Sequence, residues 1–172
     1  MTRLGEAIAL ASEVHKDQVD KAGVAYILHP LAVMQRATDY YVANSDGWKL
    51  EDVQIVAVLH DALEDIIPGN SWDRDRLRQR IYDSFGQLVY DGVDAITKHP
   101  KVGDYQETYD AYLFRVSKSW IARIVKIADL SHNLDAFRLP SGKITNRDFD
   151  RWDKYHRALV LLMEIENTVR TV

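Results

Sequence analysis

Residues 59–65 read LHDALED, and they follow the mostly apolar stretch VQIVAV (53–58). At about 100° per residue, the apolar positions cover almost every side of a helix. The pattern therefore predicts a helix over 51–66 that is buried nearly all round. It places His60 in the middle of the face that points to the core, among several carboxylates.

The acidic residues of this stretch are costly in a buried helix. Asp61 and Asp65 share one edge of the predicted helix, and two carboxylates about 4 Å apart repel by about 4 kcal/mol at an effective dielectric of about 20. Taking each charge out of water costs more, against a stability of ~5–15 kcal/mol for a whole domain. Basic neighbours, raised pKa values or a cation must compensate. A divalent cation compensates best, because it also uses the imidazole of His60 as a neutral ligand.

Two further segments supply candidate ligands. The apolar helix IARIVKIADLSHNLDAF (121–137) carries Asp129 on the edge of its buried stripe. His29 precedes Pro30, which favours an extended conformation at the histidine and a helix start after it. Two nitrogens and two oxygens without a thiolate suit Mn²⁺ or Fe better than Zn²⁺. The four residues that we predict as metal ligands are His29, His60, Asp61 and Asp129.

Each of these residues also has a structural interpretation, which the residues alone leave open. A hydrogen bond to backbone explains His29, and a satisfied position in the core explains His60. A buried ion pair with Lys126 or Arg123 explains Asp129. The remaining histidines, which we interpret as structural or surface residues, are His15, His99, His132 and His156.

The spacing of apolar residues predicts the fold class. Apolar residues recur at helical spacing through the 172 residues, and no convincing alternating strand is found. We predict an all-α helical bundle of about eight to ten helices that forms a single domain over 1–172. The segment KAGVAYILHP (21–30) is predicted as a loop or short hairpin. The predicted helices cover residues 3–17, 31–43, 51–66, 72–85 (capped by Ser71), 86–97, 105–118, 120–138 and 146–170.

Composition narrows the classes of partner. The net charge is −4, which gives no basic surface for a nucleic-acid backbone. Cysteine is absent, which fits a reducing compartment and removes thiolate metal sites. The apolar runs are far shorter than the ~20 residues that cross a bilayer, and the N-terminus does not resemble a secretory signal. We therefore predict a cytoplasmic protein with neither a nucleic-acid nor a membrane partner, and leave its oligomeric state open.

The motifs together resemble those of the HD-domain hydrolases of the RelA/SpoT type. The resemblance is to the stand-alone small alarmone hydrolases related to the metazoan SpoT homologue in particular. It runs in family order from near the N-terminus to about residue 138. The segments that carry it are HKDQVDKAGVAYILHPL (15–31), AVLHDALED (57–65), FGQLVYDGVDAITK (85–98) and IVKIADLSHNL (124–134).

The resemblance implies a fold, a reaction and a set of site residues. It implies an all-helical HD domain that hydrolyses a nucleotide 3′-pyrophosphate, releasing GDP or GTP plus pyrophosphate from (p)ppGpp. It implies Mn²⁺, or another divalent metal, as the cofactor and no synthetase domain. The implied residues are His29, His60, Asp61 and Asp129 as metal ligands, Glu64 and Asp65 as catalytic residues, and Lys21, Asn133 and Tyr155 as substrate contacts.

Three positions depart from the family pattern. Asp20 stands where the family has an arginine near the base, Leu130 replaces another arginine, and Asp135 stands where a basic residue is common. These changes leave the predicted metal ligands complete and alter the residues that would select the substrate. Two alternatives therefore remain: an HD phosphohydrolase for another nucleotide, such as pApp or a 5′-nucleotide, and a non-catalytic nucleotide-binding protein.

Overall fold

The structure is a computed structural model, and it describes residues 1–44, 49–64, 66, 71–99, 102–138 and 144–170. These residues form eight α-helices and one 3-10 helix, which are joined by turns and loops. Within these residues there is no sheet, only isolated bridges at 19–25 and 102–105. The predicted all-α class is confirmed. The elements are α1 (Arg3–Val14), α2 (Leu28–Asn44), α3 (Leu50–Leu59), α4 (Arg74–Phe85), α5 (Gln87–Ile96), α6 (Tyr109–Lys118), α7 (Trp120–Asn133), η1 (Ala136–Arg138) and α8 (Asn146–Arg170).

Helix α3 lies at the centre of the bundle. It packs against α1, α2, α5 and α7, and all its side chains from residue 55 to residue 59 are fully buried. The prediction of a helix buried nearly all round is therefore confirmed. Gly92 of α5 allows a close approach, because a Cβ at this position would lie 2.8 Å from the Ile121 side chain and 2.9 Å from the Val56 side chain.

The predicted end of α3 at residue 66 is wrong, because the α-helix stops at Leu59. The Ala62 N–H donates to the Leu59 carbonyl at 3.0 Å, and the Glu64 N–H donates to the Asp61 carbonyl at 3.1 Å. These bonds span three residues and turn the chain by about 120° per residue rather than 100°. Side chains three residues apart lie on the same side of such a turn, and Asp61 and Glu64 both line the cavity described below.

The start of α2 also differs from the prediction. The helix begins at Leu28, so His29 is helical rather than extended. The N–H of Leu28 donates to Ala25 at 3.1 Å, and that of His29 donates to Tyr26 at 2.8 Å, which closes the turn before the helix. Pro30 loses nothing in this place, since the first N–H groups of a helix have no acceptor within it.

Most other boundaries shift by a few residues because capping side chains set them. Asp73, rather than Ser71, caps α4 by accepting from the Arg76 N–H at 2.8 Å. Thr108 caps α6, which therefore starts four residues later than predicted. The predicted helix 120–138 divides into α7 and η1, whereas α8 spans residues 146–170 as predicted.

Helix α7 is the second buried helix, and it carries charge into the interior. All its residues from 121 to 130 are buried. The guanidinium of Arg123 donates to Glu166 of α8, and both side chains are about 5% exposed. This ion pair fixes the C-terminal part of α8 against the bundle. No helix among the described residues is both long and apolar enough to cross a membrane.

Candidate metal centre and active site

Four side chains from three parts of the fold converge on one point. His29 comes from the first turn of α2, His60 and Asp61 from the turn after α3, and Asp129 from α7. His29 Nε2 lies 3.3 Å from an Asp61 oxygen and 3.2 Å from an Asp129 oxygen. His60 Nε2 lies 3.1 and 3.6 Å from the same two carboxylates. The structure thus brings together all four residues that the sequence predicts as ligands.

The orientation of His60 fits a metal ligand. Its Nδ1 lies 2.7 Å from the Ala57 carbonyl, which only accepts, so Nδ1 carries the hydrogen. Its buried Nε2 has no aligned hydrogen-bond partner, although it faces carboxylates. Burial disfavours the charged ring, but the negative charges of Asp61 and Asp129 raise the pKa of His60 to about 10. A divalent cation in that place would take the position of the Nε2 proton, bind the lone pair that the proton leaves, and balance the carboxylates.

His29 is oriented by a second histidine. Its Nδ1 lies 2.8 Å from His132 Nδ1, and the two rings are stacked 5.0 Å apart. Burial and the nearby Arg138 lower the pKa of His132 to about 4. His132 is therefore neutral and can accept a hydrogen from His29 Nδ1, which leaves His29 Nε2 free to bind a cation. His132, interpreted from the sequence as structural or surface, thus orients a candidate ligand.

Asp129 is held by two neighbours on its own helix. Lys126 Nζ donates to one oxygen at 2.7 Å, and Asn133 Nδ2 donates to the other at 2.5 Å. Burial alone would raise the pKa of Asp129, but the Lys126 charge and the close contacts with His29 and His60 hold it well below its usual range. The buried ion pair that the sequence offers as an alternative for Asp129 is present, and it coexists with the cluster.

Asp61 is fixed from the loop before α2. The Tyr26 hydroxyl donates to Asp61 Oδ2 at 2.7 Å, and the Tyr26 ring packs 4.9 Å from His15. Burial opposes ionisation, yet the charge of His60 and the hydrogen bond from His29 keep the pKa of Asp61 well below its usual range. Asp61 is therefore an ionised carboxylate with a half-buried side chain, and a metal ligand must be deprotonated.

His29, Asp61 and Asp129 of the cluster line a cavity of about 390 Å³, and the buried His60 lies behind them. The described lining of this cavity is rich in charge of both signs and includes every predicted substrate contact. The lining residues are Val19, Asp20, Lys21, Tyr26, His29, Asp61, Glu64, Lys98, Lys126, Asp129, Asn133, Asp135, Arg138, Arg151 and Tyr155. A cavity of this size suits a small phosphorylated ligand.

Glu64, one of the two predicted catalytic residues, faces the cavity and is paired with Lys98. The carboxylate accepts from the Lys98 backbone N–H at 2.5 Å and lies 3.3 Å from its Nζ. This pair connects the turn after α3 to the end of α5. Asp65, the other predicted catalytic residue, lies outside the described residues.

Lys21 and Arg151 are brought together by an acid at the start of α8. Asp148 lies 3.6 Å from Lys21 Nζ and 2.8 Å from an Arg151 nitrogen. Its other oxygen accepts from the Thr145 N–H at 3.0 Å and hydroxyl at 2.7 Å. One carboxylate thus caps α8 and fixes two cations at the cavity. Tyr155 lines the same wall, one helical turn after Arg151.

Sequence reasoning missed four side chains that complete the site. Tyr26 and Lys98 stand inside segments that carry the family resemblance, so those motifs held a signal for them. Arg138 and Arg151 lie beyond those segments and depend on how η1 and α8 fold back. No spacing rule connects them to the cluster.

The three departures from the family pattern have structural places. Asp20 accepts from the backbone N–H groups of Ala22 at 2.9 Å and Val24 at 3.0 Å, so it closes the turn that presents Lys21. Leu130 is fully buried in the core. Asp135 lies 3.4 Å from Arg36 at the rim. Asp20 and Leu130 therefore support the structure of the cavity walls, whereas Asp135 forms an ion pair at the rim.

The fold and the cluster define the class of protein: the chain has the all-α HD-domain fold. A solved structure described as a metazoan orthologue of SpoT that hydrolyses ppGpp superposes with a TM-score of 0.71 over 94% of this chain and 85% of its own, at 22% identity. This likeness establishes the fold. No family model matches the chain.

Curated relatives point to the same group. The chain is 31% identical over 140 residues to a GTP pyrophosphokinase of Streptomyces antibioticus, covering 80% of this chain and 15% of that protein. It is 28% identical over 131 residues to a guanosine-3′,5′-bis(diphosphate) 3′-pyrophosphohydrolase of Aquifex aeolicus, covering 74% and 17%. It is 27% identical over 143 residues to the bifunctional (p)ppGpp synthase/hydrolase SpoT of Escherichia coli, covering 77% and 18%. The resemblance to RelA/SpoT-type proteins is confirmed, although the chain spans less than a fifth of these relatives.

Proposed function

We propose that this protein is a metal-dependent phosphohydrolase that removes the 3′-pyrophosphate from a nucleotide, with (p)ppGpp as substrate and GDP or GTP plus pyrophosphate as products. The observation that carries the proposal is the convergence of His29, His60, Asp61 and Asp129, with nitrogen–oxygen distances of 3.1 to 3.6 Å. This cluster lies beside a cavity whose described lining includes five lysines and arginines. A cluster of candidate metal ligands beside several lysines and arginines suits a substrate with many phosphate charges.

The matched relatives support this proposal through what their names say. One is a 3′-pyrophosphohydrolase of guanosine-3′,5′-bis(diphosphate), another a (p)ppGpp synthase/hydrolase, and the superposed structure is of a ppGpp hydrolase. Because the chain spans only a small part of the first two, their activity comes to this chain as an inference. The single domain over 1–172 and the cytoplasmic location stay predictions.

The metal ligands in this proposal are His29, His60, Asp61 and Asp129. Two imidazoles and two carboxylates favour Mn²⁺, and a related divalent metal fits the same donors. When bound, such an ion polarises a phosphate oxygen and lowers the pKa of a coordinated water. The protein's own part is to fix the donors: Tyr26 and His132 hold Asp61 and His29 in place through hydrogen bonds of 2.7 and 2.8 Å.

Glu64 is our candidate for handling the proton of the attacking water, together with Asp65. The Glu64 carboxylate faces the cavity and is held by Lys98 at 3.3 Å. From there it can accept a proton from the water whose oxygen attacks the phosphorus bonded to the 3′ oxygen. The bond between that phosphorus and the 3′ oxygen breaks as the new bond forms, and the 3′ oxygen takes up a proton from Glu64 or from solvent to leave as a hydroxyl. Lys98 would stabilise the negative charge that develops on the 3′ oxygen as its bond to phosphorus breaks.

Substrate phosphates would bind to the cations that Asp148 holds at the cavity. Lys21 and Arg151 are held side by side through Asp148, and Tyr155 offers a ring and a hydroxyl next to them. Asn133, the remaining predicted contact, donates to Asp129 at 2.5 Å. We therefore assign Asn133 to positioning the cluster at least as much as to touching substrate.

A 3′-pyrophosphate of a different base is the second candidate. Asp20, which replaces the family's arginine near the base, bonds to its own turn at 2.9 and 3.0 Å and offers no donor to a guanine. Guanine presents two acceptors that an arginine reads, whereas adenine presents an acceptor and a donor. This favours testing pApp beside the guanosine alarmones.

Product analysis tests the proposal. Metal-loaded protein is incubated with ppGpp, pppGpp, pApp and a plain 5′-nucleotide, and pyrophosphate and orthophosphate are quantified. We expect pyrophosphate only from the 3′-pyrophosphates, and a loss of at least about 100-fold in Asp61→Ala because a ligand is missing. Asp83→Ala, an exposed acid on α4, should match wild type.

Two outcomes would contradict the proposal. Orthophosphate release from the 5′-nucleotide, with the 3′-pyrophosphates left intact, would assign the site to another phosphate ester. Full activity in Asp61→Ala would remove the proposed metal site.

A further inference from the structure

The side-chain amide of Asn133 is committed on both of its ends. Its Nδ2 donates to Asp129 at 2.5 Å, and its Oδ1 accepts from Arg138 Nη1 at 2.6 Å. Asn133 therefore works as a link within the wall. The group at the cavity end of this chain of hydrogen bonds is the guanidinium of Arg138.

Arg138 differs from the other cations of the cavity, because it has no acidic partner in the part of the chain that the structure describes. It is half-buried and forms, among the described residues, one side-chain hydrogen bond and no ion pair. A guanidinium carries five N–H donors. Among the described residues one of them bonds to Asn133, which leaves the other four for a ligand. The cations that do lie within 4 Å of a carboxylate are Lys21, Lys98, Lys126 and Arg151.

The position of Arg138 fixes what it can bind. It is two hydrogen bonds away from Asp129, so its free donors lie near the phosphate group that the cluster would hold. Leu130 and Asp135 add no positive charge to this wall. A planar guanidinium binds two oxygens of one phosphate at once, and such charged hydrogen bonds are about twice as strong as neutral ones.

We propose that Arg138, delivered by η1, binds the diphosphate of the substrate next to the metal cluster. This role rests on the proposed function and deepens it, since it assigns the recognition of the transferred diphosphate to a residue outside the segments that carry the family resemblance. Asp135 stands where a basic residue is common in the family. Arg138, three residues later, would supply the positive charge that Asp135 does not.

The test separates binding of diphosphate from binding of metal. Inorganic pyrophosphate is titrated calorimetrically into Mn²⁺-loaded wild type, Arg138→Gln, Arg138→Lys and Arg36→Gln, and Mn²⁺ alone is titrated into each metal-free protein. Arg36 is the matched control, because it is an arginine of the same rim that faces Asp135 and does not line the cavity.

We expect Arg138→Gln to bind pyrophosphate at least about 10-fold more weakly, with Arg138→Lys in between. Mn²⁺ affinity should stay within about twofold of wild type in both variants, and Arg36→Gln should match wild type for both ligands. The same variants should raise the KM for a 3′-pyrophosphate nucleotide more than they lower kcat.

Three outcomes would overturn the inference. Equal pyrophosphate binding by Arg138→Gln and wild type removes the role of Arg138 and leaves the proposed function intact. Weakened Mn²⁺ binding with normal pyrophosphate binding at saturating metal would make Arg138 a residue that only positions Asn133 and Asp129. Wild type that binds no pyrophosphate would contradict both the inference and the proposed function.

Discussion

At the scale of single residues, the geometry of the cluster depends on which ring nitrogen of each histidine faces the carboxylates. His60 and His29 each commit Nδ1 to an outside partner, the Ala57 carbonyl at 2.7 Å and His132 at 2.8 Å. Both therefore present Nε2 to the same two carboxylates. Such outer hydrogen bonds fix the tautomer and the ring orientation before any ligand arrives.

Tyr26 offers a test of these outer contacts. Tyr26→Phe removes the hydroxyl that donates to Asp61 at 2.7 Å and keeps the ring that packs on His15. We expect Mn²⁺ affinity to fall by roughly 10-fold, because partners outside the ligand set contribute about 10- to 100-fold. Calorimetric Mn²⁺ titration measures the change. The control is Tyr105→Phe at an exposed tyrosine, and equal affinities in the two variants would contradict the assigned role.

At the scale of elements, the N-terminus of α8 links helix capping to the cavity. Asp148 bonds to Thr145 through one oxygen and to Arg151 through the other. The hydrogen bonds from the Thr145 hydroxyl and N–H lower the pKa of Asp148 to about 2. A depressed carboxyl pKa stabilises the fold above the unfolded pKa of 3.8, and this contribution disappears as the pH falls towards the folded pKa.

The lowered pKa of Asp148 predicts how the stability difference between wild type and Asp148→Asn changes with pH. We expect wild type to exceed the variant in unfolding free energy by a constant margin from pH 7 to pH 5, with the margin narrowing below about pH 4. Urea denaturation of both proteins at each pH measures it. Asp150→Asn, an exposed acid of the same helix, should show no such narrowing, and a margin for Asp148→Asn that persists to pH 3 would disprove the depressed pKa.

The elements also show how far the sequence leads. Apolar spacing predicts eight helices and the central place of α3, because burial dominates both. The convergence of His29, His60, Asp61 and Asp129 can be anticipated because a buried charge is costly wherever it stands. Their role as metal ligands stays a prediction. The turn after Leu59, the helical state of His29 and the inward place of Arg138 depend on contacts between distant segments, which no local pattern encodes.

At the scale of the whole molecule, one buried ion pair holds the long α8 to the bundle. Glu166 accepts from Arg123 of α7, and its other oxygen accepts from Arg170 at 2.7 Å. Arg170 in turn donates to the Asn44 carbonyl at the end of α2, at 2.8 Å. A single carboxylate thus connects three helices at the end of the bundle opposite to Asp148.

Glu166→Gln should therefore destabilise the whole fold. Removing one partner leaves the buried charge of Arg123 uncompensated, which costs about 3 kcal/mol or more. Urea denaturation at neutral pH measures the loss. Glu164→Gln, an exposed glutamate of the same helix, should change stability by less than about 0.5 kcal/mol. Similar small effects for both would show that the ion pair contributes little.

The balance of charge around the cavity has a kinetic consequence. The described lining carries five lysines and arginines against five aspartates and glutamates, and the chain as a whole carries a net charge of −4. The bare protein therefore does not attract a polyanion from a distance. A divalent ion at the cluster would make the net charge of the cavity positive. We therefore expect a compulsory order of addition in which the metal binds first and the nucleotide second. At low metal, turnover would then follow the supply of the ion rather than that of the nucleotide.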